Sequence, residues 1–245
     1  MIRLLLFITT IAVGLGHTAC RGDYPSSGNQ ETPTMTRETP SRAVNVSERP
    51  QPKEGAGNFE NLVADYESKD RVIWQKPGMV IALLGDLKGK TVADIGAGTG
   101  YFTFRLVPLA GKVIGVDIDP QFINFLDSVK VRLPAQYRDR FESRLAKPDD
   151  PMLAPEEADA VIIVNTYGYI EHRVQYLQTL ATGMKPGATL LVIDFKKNNL
   201  PIGPPDAYKV ALSQVENELS AGGFEVTQVD KESLDYQYII LAKKK

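Results

Sequence analysis

The chain has 245 residues, with 28 Lys and Arg against 30 Asp and Glu and a formal charge of −2. That balance argues against a nucleic-acid scaffold held on by a basic surface. Hydrophobic residues at 43% with 24% charged argue against wholesale disorder and against a polytopic membrane protein. One cysteine, Cys20, excludes an intrachain disulfide framework, and two histidines, His17 and His172, leave little for a zinc centre or a histidine triad. The chemistry therefore runs with neither metal-ligand clusters nor thiols, and no metal is expected.

The N-terminus reads as an address. Met1-Ile2-Arg3 supplies a positive start, and residues 4–16 form an uncharged, mostly apolar run. That run is too short for a hydrocarbon core of roughly 30 Å, which needs about 20 residues, and it matches the central region of a secretory signal. It leads into His17-Thr18-Ala19-Cys20, which resembles a bacterial lipoprotein signal, with the acylated cysteine as the new N-terminus. His17 departs from that pattern, which has an aliphatic residue there, and an ordinary cleaved signal remains the alternative. Residues 21–58 hold five Pro, four Gly, four Ser and four Thr, and no Leu, Ile, Phe or Trp. So few apolar side chains cannot offset the entropy of ordering. The expected organisation is a signal over 1–19, a flexible tether over 20–58 and one domain over 59–245, the last with 22 basic and 25 acidic residues.

Within the domain, strand-like and helix-like runs alternate. Apolar, β-branched runs predict strands at 91–95, 112–117, 160–165 and 189–195, with a weaker one at 141–145. Helices are expected at 100–109, 120–133, 170–184 and 206–221. Such alternation predicts an α/β fold, a mostly parallel sheet covered on both faces. The last two strands, 224–229 and 236–242, have only a short connection, so their pairing should be antiparallel.

The most informative stretch is Val92-Ala93-Asp94-Ile95-Gly96-Ala97-Gly98-Thr99-Gly100-Tyr101-Phe102, a strand running into three glycines and then a helix. Glycines let the chain turn sharply and let a ligand approach the backbone, and the opening N–H groups of a helix favour a negative group. The spacing Gly-x-Gly-x-Gly departs from the Gly-x-Gly-x-x-Gly of nicotinamide and flavin sites. No Gly-Lys-Ser/Thr follows, which excludes a P-loop. Asp117 ends the next strand in Val113-Ile114-Gly115-Val116-Asp117, where a carboxylate can accept both hydroxyls of a ribose.

Together these residues resemble the class I S-adenosylmethionine-dependent methyltransferases. The resemblance extends through VIGVDIDP, ADAVIIVNTY, Met184-Lys185-Pro186-Gly187 and ATLLVIDF. It implies a doubly wound, seven-stranded Rossmann-like sheet with a C-terminal antiparallel strand, and S-adenosyl-L-methionine as cofactor. It also implies roles: Gly96, Ala97, Gly98 and Gly100 against the methionine part, Asp94 beneath the loop at the amino group, Asp117 on the ribose and Ile118 on the adenine. Asp149 or Asp150 would meet the adenine amino group, and Asn165, Thr166 and Tyr167 would stand where the methyl faces its acceptor. The segment Arg71-Val72-Ile73-Trp74-Gln75-Lys76-Pro77 resembles the lead-in of a bacterial subgroup, as do Pro201-Ile202-Gly203-Pro204-Pro205 and Tyr236-Gln237-Tyr238. Trp74 would either cover the pocket, offering an aromatic face to a sulfonium, or anchor the segment against the sheet edge. That subgroup often has a histidine where this chain has Gly168.

Methyl transfer from a sulfonium needs alignment and exclusion of water, and a general base only where the nucleophile holds its proton. No base is identifiable: His172 reads as a surface residue, and Tyr101 and Tyr167 are candidates for lining the pocket. The fourth strand lacks the Asp/Asn-Pro-Pro-aromatic signature of base methylation, so no nucleic-acid partner is expected. The expected reading is a methyltransferase (EC 2.1.1.-) on a small molecule or envelope component, held to a bacterial membrane through Cys20. Its alternatives are a non-catalytic binding lipoprotein of the same fold, a cytoplasmic enzyme started at an internal Met35 and, more remotely, a nicotinamide oxidoreductase. The acceptor and the oligomeric state stay open.

Overall fold

Near-continuous apolar runs can only be strands covered on both faces, and that is how they pack. The computed structural model describes residues 59, 63, 64 and 66–245. The readings placed on residues 1–58, the signal, Cys20 and the tether, lie outside the described residues. Seven strands form one sheet in the order β3-β2-β1-β4-β5-β7-β6. They are β1 (Thr91–Ile95), β2 (Lys112–Asp117), β3 (Phe141–Leu145), β4 (Ala158–Val164), β5 (Met184–Phe195), β6 (Phe224–Asp230) and β7 (Gln237–Lys244). The first five run parallel, and β7 lies antiparallel between β5 and β6. The expected α/β class, seven-strand count and reversed final pairing are all present.

Alternate residues of each strand feed two cores. Ala93, Ile95, Val161, Ile163, Leu190 and Val192 face α6 (Arg173–Gly183) and α7 (Leu212–Ala221), where Leu177, Leu180, Val215 and Leu219 meet them. Val92, Ile162, Leu191 and Ile193 face the other way, toward Val80 of α2 (Pro77–Ala82), Leu106 of α3 (Thr103–Leu106) and Leu126 of α4 (Pro120–Lys130). A short helix, α1 (Arg71–Gln75), precedes α2.

Several boundaries differ from expectation for local reasons. The helix expected over 100–109 shrinks to α3, because Gly98 and Gly100 hold positive φ of 53° and 83° and continue the loop. The helix expected over 120–133 stops at Lys130, ahead of Pro134 and a separate turn, α5 (Ala135–Arg138). The run at 206–221 splits into a 3₁₀ turn (Asp206–Tyr208) and α7, with Lys209 extended between them. Strand β5 starts five residues early, passing Pro186 and Gly187 through a register shift opposite Ala158 and Ala160.

Chain order places the site. After β1 the chain builds β2 and β3 on one side, then crosses to β4 on the other. A crevice therefore opens at the C-terminal ends of β1 and β4, where ligands of open α/β sheets bind.

Candidate active site

The glycine loop leaves β1 at this crevice and is tied at once to β2. The N–H groups of Gly96 and Ala97 both donate to the Val116 carbonyl, at 2.8 and 2.9 Å. Gly96 has φ of 72°, and a Cβ there would run into the Thr166 side chain at the end of β4. A Cβ at Gly100 would meet the Phe104 ring and Leu126, so that glycine makes room for protein rather than for ligand. The buried Ala97 likewise spends its N–H on β2. Of the loop residues singled out from sequence, Gly98 makes the connection to the next strand: its N–H donates to Asp117 Oδ2 at 2.8 Å.

Asp117 accepts from the Asp119 N–H through its other oxygen, at 3.0 Å. Burial raises its pKa, and these backbone donors oppose the rise. Beside it, Ile118 is 48% exposed, an apolar surface at the lip of the crevice. Asp94, only 3% exposed, accepts from Thr103 Oγ1 at 2.7 Å. Burial pushes its pKa up to about 6, against the pull of the Thr103 hydroxyl and the Arg71 charge. At neutral pH it is mostly ionised, and a cationic amine brought beside it would hold it so.

Asp149 is exposed on the 147–150 turn, whereas Asp150 is half-buried and accepts from the Met152 N–H at 2.7 Å. The buried Tyr176 phenol is pushed upward by burial and then by the charges of Asp150 and Asp117 together, which sets Asp150 rather than Asp149 on the Asp117 side. Asn165 stands in the left-handed region at φ of 57°. Its side-chain oxygen accepts from both Gln237 and Gln75, so it is turned into the protein, with only its amide nitrogen left for a ligand.

Two aromatic residues named from the sequence find partners within the protein. Tyr167 is fully buried and donates to Glu218 of α7 at 2.8 Å, which removes it from the pocket wall. Trp74 leans on Phe195 at the end of β5, with ring centroids 5.8 Å apart. The ring that lies over the loop is Tyr66's, 3.3 Å from where a Gly98 Cβ would be and stacked on Phe122. His172 is exposed at the head of α6.

Sequence reasoning did not pick out three further groups. Asp194, buried at the end of β5, accepts from the N–H groups of Phe195 and Gly168 at 2.7 and 3.2 Å, and burial raises its pKa to about 6. Tyr169 and Tyr208 stack with centroids 4.7 Å apart, and a Cβ at Gly168 would overlap the Tyr208 carbonyl oxygen. Arg71 is buried against the Tyr101 ring. A carboxylate at the end of the fifth strand was readable in VIDF; the other two depend on contacts between distant segments.

The residues fit S-adenosylmethionine: Asp117 for a diol, the Asp94 carboxylate for an ammonium and the exposed Ile118 for an adenine face. Comparison with known proteins agrees in fold. Residues 93–190 match the family model described as a methyltransferase domain. A demethylmenaquinone methyltransferase of Lactococcus lactis subsp. lactis is 29% identical over 158 residues, 59% of this chain and 59% of that one. A tRNA U34 carboxymethyltransferase of Shewanella putrefaciens is 31% identical over 171 residues, 64% of this chain and 46% of that one. A ubiquinone/menaquinone biosynthesis C-methyltransferase of Pseudomonas aeruginosa is 26% identical over 212 residues, 80% of this chain and 76% of that one. The chain thus spans about half the length of the first two of these relatives. A solved SAM-dependent methyltransferase from Aquifex aeolicus superposes with a TM-score of 0.69 at 23% identity, over 78% of this chain and 99% of that one, a likeness of fold.

Proposed function

We infer that this chain is an S-adenosylmethionine-dependent methyltransferase (EC 2.1.1.-) acting on a small molecule or a component of the bacterial envelope. The observation that carries the reading is Asp117: a buried carboxylate at the β2 terminus, fastened to Gly98 of the loop at 2.8 Å, with Ile118 exposed beside it. When bound, the cofactor supplies an electrophilic methyl on a sulfonium, whose departure leaves a neutral thioether. The chain's own part is to orient and to exclude water. Thr166 and Asn165 end β4 opposite the loop, and the Tyr169–Tyr208 and Trp74–Phe195 pairs give the neighbouring edge apolar aromatic faces. Such faces, in a mildly acidic domain, suit a planar or apolar acceptor better than the tRNA named for one relative. The sequence of residues 1–58 supports export and attachment through Cys20 on this reading.

Titrating the full chain with S-adenosylmethionine tests the cofactor. Saturation at a hundredfold excess over Kd stabilises by about 2.7 kcal/mol, and Asp117→Ala should abolish most of that shift. No shift in the wild-type chain rejects the reading. Attachment is tested by fractionation: Cys20→Ser should release the protein from membranes, and a soluble wild-type protein rejects the anchor.

One observation favours a second reading, a binding lipoprotein without turnover. The backbone of Tyr208 closes on Gly168, so no side chain fits where a catalytic group would otherwise project. A chain that binds the cofactor yet never forms S-adenosylhomocysteine in envelope extracts would favour it.

A further inference from the structure

Arg71 is 8% exposed, yet no carboxylate lies within ion-pair distance of it among the described residues. Burying a guanidinium without a counter-ion is costly. Two of the half-buried arginines do have carboxylate partners, Arg144 with Glu142 and Glu157, and Arg173 with Glu218. Arg71 is instead held by neutral groups. Its Nε donates to Gln75 Oε1 at 2.5 Å and its Nη1 to the Tyr66 carbonyl at 2.7 Å, while Nη2 bonds no described residue. The guanidinium lies over the Tyr101 ring, 4.0 Å from its centroid, and that of Arg105 lies over the same ring at 3.8 Å. The Tyr101 hydroxyl is buried and has no hydrogen-bond partner among the described residues. Two cations and an unsatisfied phenol beside the glycine loop make a place for an anion.

We propose that Arg71 is the counter-ion for the carboxylate at the amino-acid end of S-adenosylmethionine, a role that rests on the cofactor reading above. The charged neighbours fit that assignment. Burial lowers the Arg71 pKa, Tyr101, Glu67 and Asp94 oppose the fall through space, and Arg105 adds to it, none of the carboxylates standing within ion-pair distance. Asp94 feels Arg71 in return. The end of β1 therefore presents one buried negative and one buried positive group, in range of each other and unpaired. The ammonium and carboxylate of an amino acid carry the complementary pair. A fork fixed by Gln75 and Tyr66 is also preorganised, so little ordering is left for binding. Because the same Gln75 reaches Asn165 at 3.4 Å, the group that would read the carboxylate is wired to the end of β4.

The test is ligand selectivity, measured calorimetrically on the full chain. Three probes are used: S-adenosylmethionine, its decarboxylated form, and 5′-methylthioadenosine, which lacks both amine and carboxylate. Arg71→Met should weaken S-adenosylmethionine about 10- to 100-fold and leave the other two within about twofold. Parallel loss of all three, or no loss at all, overturns the proposal and makes Arg71 a packing residue. Where Arg71→Met does not melt cooperatively, Arg71→Lys decides. A partial loss confined to S-adenosylmethionine supports the role, and equal losses overturn it. Failure of the cofactor reading looks different, because the wild-type chain would then bind none of the three.

Discussion

The two sides of the crevice are built by opposite means. On the β1–β2 side the working parts are backbone and its immediate neighbours: Gly96 and Ala97 on the Val116 carbonyl, and Gly98 on Asp117. On the β4–β5 side they come from far apart in the chain. Gln237 on β7 donates to Asn165 and accepts from Gln75 at 3.2 Å, and the 206–208 turn closes on Gly168. A ligand end shared by many chemistries is held by short-range geometry, whereas an acceptor end is shaped by segments that differ in length and position. The first side should tolerate repair by a neighbouring side chain; the second should not.

Glycine substitutions on the two sides break this comparison most sharply. At Gly168 the obstacle is the Tyr208 backbone, so Gly168→Ala must displace the whole turn. We expect a loss of at least about 3 kcal/mol in urea unfolding. At Gly96 the obstacle is the Thr166 side chain, added to a left-handed φ of 72°. Gly96→Ala should cost about 1–2 kcal/mol, and Thr166→Gly should return part of that while returning nothing to Gly168→Ala. Equal rescue of both would erase the distinction.

The same asymmetry decided what could be read in advance. The order of elements, the reversed last strand and the places of the glycine loop and of Asp117 at strand ends follow from apolar periodicity and glycine spacing, which are local signals. Asp94 and Ile118 could be singled out because each adjoins a local signal, the glycine loop and the end of β2. Tyr167 was misplaced because nothing near it in sequence says that α7 will offer Glu218 to its hydroxyl. Asn165 was assigned toward a ligand, yet its oxygen is taken by amides 90 and 72 residues away. Arg71 was legible only as part of a segment, since its burial depends on Tyr101 and Tyr66.

The amide cluster sharpens the claim that the acceptor side is a long-range construction. Gln75 and Gln237 are both fully buried, and each satisfies the other and Asn165. Gln237→Leu takes one partner from the buried Gln75 and one from the half-buried Asn165, and should cost about 2 kcal/mol. Affinity for 5′-methylthioadenosine should be unchanged, because the Asp117 side does not use these contacts. A comparable loss of nucleoside affinity would show the two sides to be one cooperative unit.

Acid titration reads the buried carboxylates that both sides share. Asp94 has a folded pKa of about 6 against an ordinary 3.8. The folded state holds this proton more tightly, so the stabilisation is present in full below about pH 4 and lost as pH rises through 6. Asp194 on the β5 side follows the same sign. Relative to Asp94→Asn, the wild-type chain should therefore gain about 1–2 kcal/mol between pH 7 and pH 4.5. Glu157 runs the other way: its pKa is pulled to about 2 by Arg144, so its contribution fades only as pH falls toward 2. Wild type losing ground to Asp94→Asn over that interval would mean that Asp94 is ionised and paired in the folded chain.

The smallest effect distinguishes the backbone of Tyr208 from its ring. The ring stacks on Tyr169 at 4.7 Å and 20°, and Tyr169 is pushed up to about 12, first by burial and then by Tyr66, Asp194 and Tyr208. Tyr208→Ala removes the stack and keeps the carbonyl that closes on Gly168. The stability loss should be about 1 kcal/mol, well short of that for Gly168→Ala. The Tyr169 pKa, followed by its ring-carbon resonance, should fall toward 10 as water reaches the phenol. If the ring mattered more than the carbonyl, the two variants would be equally unstable. Position 168 would then be small to admit an aromatic stack rather than to let two backbone segments meet.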